Sequence, residues 1–224
     1  MKRFVRENSL SLFFLVAFVL ALVGQSFAGN AAANDRLLSE GGAPISWARY
    51  VTSSDFAGDV AENWQSEYLQ FLLFILATVW LVQRGSPESK KPGDEGGESD
   101  AEQKTGRHAT PGSPAWARAT GLRQTLYGNS LGVLMGVIFV LSWLGQSVAG
   151  TASYNEQQLA QLQDPVSWGG YVASGDFWDR TLQNWQSELL AVLSMVAFSI
   201  YLRQRGSPES KPVGAPHSAT GVEG

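Results

Sequence analysis

The chain is similar to itself over most of its length. Residues 8–90 align without a gap on residues 129–211, and 39 of the 83 aligned positions are identical. The run Asn-Trp-Gln-Ser-Glu occurs at 63–67 and again at 184–188. Self-similarity at a fixed spacing indicates one structural unit that occurs twice in tandem. The fold must therefore be built from two copies of that unit.

Each copy contains two apolar runs separated by a polar loop. The first runs cover 9–28 and 130–149, and the second runs cover 68–82 and 189–202. Twenty residues of α-helix are about 30 Å long, which matches the hydrocarbon core of a bilayer. The shorter second runs cross it only if their helices begin near Trp64 and Trp185. Otherwise each would enter the membrane and return on the same side.

Lysine and arginine are distributed unevenly among the segments outside the apolar runs. Three precede the first run, seven lie between residues 84 and 125, and three follow residue 202. The loops 29–63 and 150–184 contain only two and one. Because basic residues concentrate in cytoplasmic loops, this alternation predicts four transmembrane helices with both termini in the cytoplasm. Both copies then enter the membrane in the same direction, as parallel repeats.

The first apolar run also resembles a secretory signal peptide. Basic residues precede it, and Ser-Phe-Ala at 26–28 has the character of a cleavage site. The equivalent run recurs in the middle of the chain and ends in Ser-Val-Ala at 147–149. A signal peptide has no place there, so the repeat favours a retained helix over a cleaved leader.

Polar segments divide the chain further. The predicted organisation is a first two-helix repeat over 1–84, a linker over 85–125, a second two-helix repeat over 126–205, and a tail over 206–224. The linker and tail are rich in Gly, Pro, Ser and charged residues, so both are expected to be disordered. The end of the linker, 116–127, carries Arg118 and Arg123 beside apolar residues. It suits either a short interfacial helix on the cytoplasmic surface or plain linker.

The two outer loops have helical spacing of aromatic residues. Trp47 and Tyr50 lie three apart, as do the equivalent Trp168 and Tyr171, which predicts short amphipathic helices. An aspartate follows each pair and precedes the next periodic segment. We expect these aspartates to cap the following helices rather than bind a ligand. They are Asp55 and Asp176.

The sequence lacks the usual patterns of catalytic and metal sites. It has no cysteine, and His108 and His217 lie in segments rich in Gly, Pro and Ser. We find no glycine-rich phosphate loop, no His-Glu-x-x-His and no Gly-x-Ser-x-Gly. The acidic residues at 59 and 62 become Arg180 and Gln183 in the second copy, so no fixed carboxylate pair defines a site. We therefore expect no enzyme activity, no cofactor, no metal and no nucleic-acid partner.

One polar cluster is expected from the depth of residues in the membrane. Counted at 1.5 Å per residue from the inner boundary, Gln25 and Gln65 reach about the same level below the outer surface. The cluster is either a cation or proton site with Glu67 and Glu188 as titrating groups, or a set of interhelical hydrogen bonds, which we favour. Its candidate residues are Gln25, Ser26, Gln65, Ser66, Glu67, Gln146, Ser147, Gln186, Ser187 and Glu188.

A resemblance to a known family rests on these repeated runs. Asn-Trp-Gln-Ser-Glu, an apolar helix and Arg-Gly-Ser-Pro-Glu-Ser-Lys follow one another in both copies, and the second is followed by residues 212–217. The chain resembles an uncharacterised family of bacterial multi-pass membrane proteins, a domain of unknown function. The resemblance implies the bacterial cytoplasmic membrane and transfers no catalytic or binding residue.

The predicted fold is an all-α membrane protein of four transmembrane helices, either one compact bundle or a pair of hairpins. The predicted function is a structural or interaction protein whose partners are the lipid bilayer and other membrane proteins or further copies of itself. The alternative is a small proton- or cation-linked transporter or channel that uses Glu67 and Glu188. The inner halves of the predicted helices are almost wholly apolar, which favours the structural function.

Single cysteines introduced into this cysteine-free chain test the topology. In intact cells, a cysteine at Ser39 or Ser153 should react with a membrane-impermeant thiol reagent, because both loops are expected outside. A cysteine at Ser99 should react only after the membrane is permeabilised. Labelling at Ser99 in intact cells would show that the linker is outside and that the predicted topology is wrong.

Overall fold

The computed structural model describes residues 2–222, and every regular element in that range is helical. A single 3₁₀ turn covers Gly106–His108. The α-helices are α1 (Lys2–Glu7), α2 (Ser9–Ser39), α3 (Trp47–Tyr50), α4 (Ser54–Trp80), α5 (Leu122–Gly128), α6 (Ser130–Ala160), α7 (Trp168–Val172) and α8 (Gly175–Tyr201).

Four of these helices are long. Helices α2 and α6 have 31 residues each, and α4 and α8 have 27 each. At 1.5 Å per residue they are about 46 Å and about 40 Å long, more than the thickness of a hydrocarbon core. Helices α2 and α6 are also apolar enough over a long window to cross a membrane. Helices α4 and α8 carry acidic residues in their first halves, which lowers their mean hydropathy.

The prediction that aspartates cap α4 and α8 is wrong. Ser53 Oγ accepts a hydrogen bond from the backbone amide of Phe56 at 3.3 Å, and Ser174 makes the equivalent bond at the same distance. The serines therefore occupy the capping positions. Asp55 and Asp176 lie in the first turn, where a carboxylate still interacts favourably with the helix dipole.

Helix α5 begins at Leu122, within the predicted linker, and the rest of the linker consists of turns, the 3₁₀ turn and irregular segments. Helix α5 overlaps the segment for which an interfacial helix and plain linker were the two interpretations. The repeated Arg-Gly-Ser-Pro-Glu-Ser-Lys runs follow α4 and α8 as turns. Gly85 and Gly206 have φ values of 90° and 81°, but the helices end at Trp80 and Tyr201, so neither glycine is adjacent to a helix end.

The closing turns repeat one set of hydrogen bonds. Ser89 Oγ accepts from the amide of Gln83 at 2.8 Å, and Ser210 Oγ accepts from the amide of Gln204 at 2.9 Å. Lys211 at the end of the second turn is only 1% exposed. Its ammonium donates to backbone carbonyls, of which Gly85 O at 2.6 Å and His217 O at 2.8 Å are nearest. These contacts locate part of the tail, and the disorder of the linker and tail stays a prediction.

Burial of apolar side chains in the described chain differs from that in a water-soluble domain. Few large apolar side chains are buried, whereas many along α2 and α6 are exposed, among them Phe13 (66%), Leu20 (66%) and Leu141 (62%). Soluble proteins bury such residues and expose polar ones. The buried polar or charged residues are Ser26, Gln65, Ser66, Ser86, Ser89, Gln146, Ser147, Thr181, Ser210, Lys211 and Thr220.

Contacts divide the described chain into two compact units. The first comprises the chain up to Ala61 together with Leu144–Phe177, and the second comprises Glu62–Trp143 together with the chain from Trp178 onwards. Each unit contains segments from both of the halves that match in sequence. The units are described separately below.

Candidate functional site

In the first unit, two serines of the predicted cluster hold loop tryptophans. Ser26 Oγ accepts a hydrogen bond from the Trp47 indole N–H at 3.0 Å, and Ser147 Oγ accepts one from Trp168 at the same distance. Each serine hydroxyl also donates to the carbonyl three residues before it, at 2.7 Å. Both serines are buried. Their role is to satisfy the indole nitrogen while fixing the loop against the long helix.

One turn further along each helix, a glycine accommodates a buried tyrosine. Tyr50 is 3% exposed and Tyr171 is 2% exposed. A Cβ atom on Gly29 would lie 2.1 Å from the Tyr50 hydroxyl oxygen, and one on Gly150 would lie 2.6 Å from that of Tyr171. No side chain fits at such distances. These two glycines therefore allow the outer loop to pack directly on the helix backbone.

An asparagine completes the attachment of each loop. Asn34 Oδ1 accepts from the backbone amide of Ile45 at 2.7 Å, and its Nδ2 donates to the Ile45 carbonyl at 3.0 Å. Asn155 makes the same two bonds to Val166, at 2.8 Å and 2.9 Å. An amide side chain matches a backbone peptide in this bidentate way because it has both a donor and an acceptor. The residues shared by the two halves in this region are thus those that hold the loops.

Asp55 joins parts of both halves within the first unit. Its Oδ2 accepts from the Arg36 guanidinium at 2.5 Å, and its Oδ1 accepts from the Ser153 hydroxyl. Burial raises the pKa of the adjacent Tyr50 phenol, and the carboxylates of Asp59 and Asp55 raise it further. The phenol therefore remains neutral at physiological pH.

A cleft of about 340 Å³ lies beside Asp55 in the first unit. Its charged groups include two guanidiniums and three carboxylates, and the Arg36–Asp55 ion pair uses one of each. Among residues 2–222 no group of three or more histidines and acids has the arrangement of a metal site. The lining residues are Ala33, Arg36, Leu37, Glu40, Ile45, Arg49, Ser53, Asp55, Ser153, Glu156, Gln157 and Ala160.

In the second unit, polar side chains join α4 to α8. The carboxylate of Glu62 accepts from Arg180 Nε at 2.8 Å and from Asn184 Nδ2 at 2.7 Å. Gln65 Oε1 accepts from the Trp185 indole N–H at 2.7 Å. Gln65 is 0% exposed, and the Glu62 side chain is 13% exposed. Sequence reasoning missed this ion pair because it looked for acids retained in both copies, and the pair uses positions that differ.

Helix α6 packs on α4 and α8 in the same unit. Trp143 lies with its ring centroid 5.9 Å from those of both Trp178 and Trp185. A Cβ atom on Gly132 or Gly136 would lie 3.7 Å from a leucine side chain of α4, an ordinary contact distance. The small residues on α6 therefore allow α4 to approach closely.

The structure distributes the ten predicted cluster residues over both units and several environments. Gln25 is half-buried, and Gln25 and Gln65 belong to different units, so their pairing stays a prediction. Gln65 is buried while the equivalent Gln186 is exposed, so identical residues have different surroundings. The buried members are Ser26, Gln65, Ser66, Gln146 and Ser147; Glu188 is half-buried, and Glu67, Gln186 and Ser187 are exposed.

Comparison with known proteins identifies one family. The sequence model of a domain of unknown function (DUF6766) matches residues 1–222. No curated protein and no solved structure matches the chain.

Two glycine substitutions on α2 test the attachment of the outer loop. Gly29→Ala should lower the melting temperature of the detergent-solubilised protein by several degrees, because the new methyl group would overlap the Tyr50 hydroxyl. The matched control is Gly24→Ala, where nothing in the described structure lies within 4 Å of the added Cβ. It should leave the melting temperature unchanged or raise it, since alanine favours helix. Equal effects of the two substitutions would refute the close approach of Tyr50.

Cysteine pairs test the level of the two glutamines. Cysteines at Gln25 and Gln65 should cross-link under mild oxidation if the two residues face each other at one depth. A pair at Gln25 and Ile75 is the control, since ten residues of helix separate Ile75 from Gln65 by about 15 Å. Absence of a disulfide at 25 and 65, with both thiols reactive, would show that these glutamines do not pair.

Proposed function

The chain belongs to this family of unknown function, and we propose that it is a structural or interaction protein of the bacterial cytoplasmic membrane. The observation that carries this proposal is the exposure of large apolar side chains along α2 and α6. In water such a surface would be unstable or would cause aggregation. In a bilayer the same side chains contact lipid tails at no cost.

The exposed apolar residues of α2 surround the helix. Phe13, Phe14, Leu15 and Val16 are consecutive and all more than half exposed. Four consecutive residues point in four directions, since successive side chains differ by about 100° around a helix. A helix at the surface of a soluble protein would show one apolar face, so this pattern supports a lipid environment.

We extend the proposal to four transmembrane helices with both termini in the cytoplasm. Helices α4 and α8 are long enough, and their final halves also expose large apolar side chains, namely Leu76, Trp80, Leu193 and Phe198. The polar contacts of Glu62 and Gln65 lie in the first half of α4. The distribution of lysine and arginine supports the orientation.

The proposed architecture is a tandem duplication of one hairpin. Helices α2 and α6 begin and end at equivalent positions of the sequence alignment, and so do α4 and α8. The loop contacts made by Ser26, Gly29 and Asn34 recur at equivalent positions of the second half. Both observations support two copies of one folded unit.

Occupied polar groups favour a structural function over transport. Ser26 and Gln65 accept bonds from tryptophans, and Glu62 accepts bonds from Arg180 and Asn184. A transport site needs groups that exchange their partners for a substrate. Here the same groups hold loops and helices in place, as interhelical polar contacts do in membrane proteins.

The outer loops are the surface that we assign to interaction. Trp47 stacks on Phe27 with ring centroids 5.5 Å apart, yet Trp47 and the equivalent Trp168 remain substantially exposed. Exposed tryptophans are frequent in protein interfaces and at the membrane surface. The partners would be other membrane proteins or further copies of this chain.

Ion flux distinguishes the structural proposal from a transporter or channel that uses Glu67 and Glu188. Proteoliposomes containing the protein should show the same proton and cation flux as empty liposomes. The double variant Glu67→Gln, Glu188→Gln should not differ from the unaltered chain. A protein-dependent flux that this variant abolishes would establish the transporter in place of the structural function.

A further inference from the structure

The ion pair between α4 and α8 joins positions at which the matched halves differ. The second-half equivalent of Glu62 is Gln183, and the first-half equivalent of Arg180 is Asp59. Every position from 57 to 62 differs from its equivalent at 178 to 183, whereas the run Asn-Trp-Gln-Ser-Glu that follows is shared by both halves. The two charged positions that meet therefore lie in a segment that has diverged, directly before one that has not.

The contacts form one polar stripe on each helix. Glu62 and Gln65 lie three residues apart on α4, and Arg180, Asn184 and Trp185 share a face of α8. Glu62 has both a guanidinium and an amide as donors, and its side chain is only 13% exposed. A carboxylate withdrawn from water to this extent needs such donors. Loss of Arg180 would leave it with the amide alone.

We propose that Glu62 and Arg180 make the association of the two halves specific, so that α4 pairs with α8 and neither helix pairs with a second copy of itself. The partner of the α4 face is therefore the α8 face of the second half. This inference does not depend on the proposed topology, because it concerns only contacts between helices.

The shared residues cannot provide this specificity. Because both halves contain Trp and Gln at equivalent positions, the bond from Trp185 to Gln65 has an equivalent in any pairing of these helices. The pair of opposite charges has no such equivalent when a helix pairs with a copy of itself. Two copies of α4 would place Glu62 against Asp59, and two copies of α8 would place Arg180 against Gln183. Only the mixed pair brings opposite charges together. Like charges act against the pair of α4 helices, and in the pair of α8 helices Arg180 would face a neutral amide in place of a carboxylate.

The packing of α6 on α4 is a second contact that favours association of α4 with the second half. Gly132 and Gly136 admit the leucines of α4 to ordinary contact distance. Their first-half equivalents on α2 are Ser11 and Leu15. Serine at the first of these positions is also small, but the leucine side chain at the second would prevent an equivalent approach there. The second half is thus shaped, as well as charged, to receive α4.

Charge reversal in the full-length protein tests the proposal. A protease site is inserted after Gly112 in the linker, the detergent-solubilised protein is cut, and the second half is captured by a C-terminal tag. The unaltered first half should be retained. Glu62→Arg and Arg180→Glu should each reduce retention at least about tenfold, because each places like charges together. The double reversal should restore retention to within about twofold, because it rebuilds the pair.

Asp179→Arg is the matched control, since Asp179 is exposed and lies next to Arg180 on α8. It should leave retention unchanged. If Arg180→Glu does not accumulate, Glu62→Gln alone should give an intermediate loss. Equal retention in all variants, or a double reversal as weak as the single ones, would overturn the proposal. So would capture of one first half by another from a differently tagged, co-expressed chain.

Discussion

Hydrogen bonds from tryptophan indoles to buried polar side chains are the contacts on which the described structure most depends. Ser26, Ser147 and Gln65 each accept one such bond, at 3.0, 3.0 and 2.7 Å. Away from water an indole N–H without an acceptor costs several kcal/mol, whereas a formed bond contributes only about 1 kcal/mol net. The penalty for leaving the group unpaired therefore decides the arrangement more than the bond itself does. Each bond fixes a large ring, and with it the element that carries the ring.

Both residues that the halves share and residues that differ between them make contacts in the described structure. Shared residues build each outer loop on its own long helix, as Gly29 and Asn34 do. Contacts between the halves include diverged residues, as in the pair of Glu62 with Arg180 and the bond from Ser153, whose first-half equivalent is alanine, to the shared Asp55. The shared residues Gln65 and Trp185 also make a contact between the halves. The loop contacts within each half thus use shared side chains, whereas the contacts between the halves use shared and diverged ones.

Much of the helical framework follows from the sequence. The apolar runs and their repeat predict the four long helices, because length and hydropathy are local properties. The exact starts of α4 and α8 do not follow. Ser53 and Asp55 are both suitable caps, and only the backbone geometry selects the serine. The extension of α2 to Ser39 is likewise unexpected, since it depends on the loop that returns to Asn34.

The candidate site was less predictable. Depth arithmetic singled out Ser26, Gln65 and Ser147 among ten residues, but not the tryptophans that donate to them. That the cluster residues share one depth stays a prediction. Gln65 is buried and Gln186 is exposed although their neighbours in sequence are identical, so burial here is set by the packing of helices and not by local sequence. A comparison of equivalent positions could not find the Glu62–Arg180 pair, because the pair joins positions that are not equivalent.

Lipid exposure of the apolar helix surfaces is the central claim, and spin-label accessibility measures it most directly. Single cysteines replace Leu20 on α2 and Leu141 on α6, which are 66% and 62% exposed, and are spin-labelled in the protein reconstituted into liposomes. Collision with oxygen should dominate over collision with a water-soluble nickel complex at both positions, as at other lipid-facing sites. A label at Ser39 should show the opposite ratio. Nickel accessibility at Leu20 or Leu141 equal to that at Ser39 would place these surfaces in water and contradict the account.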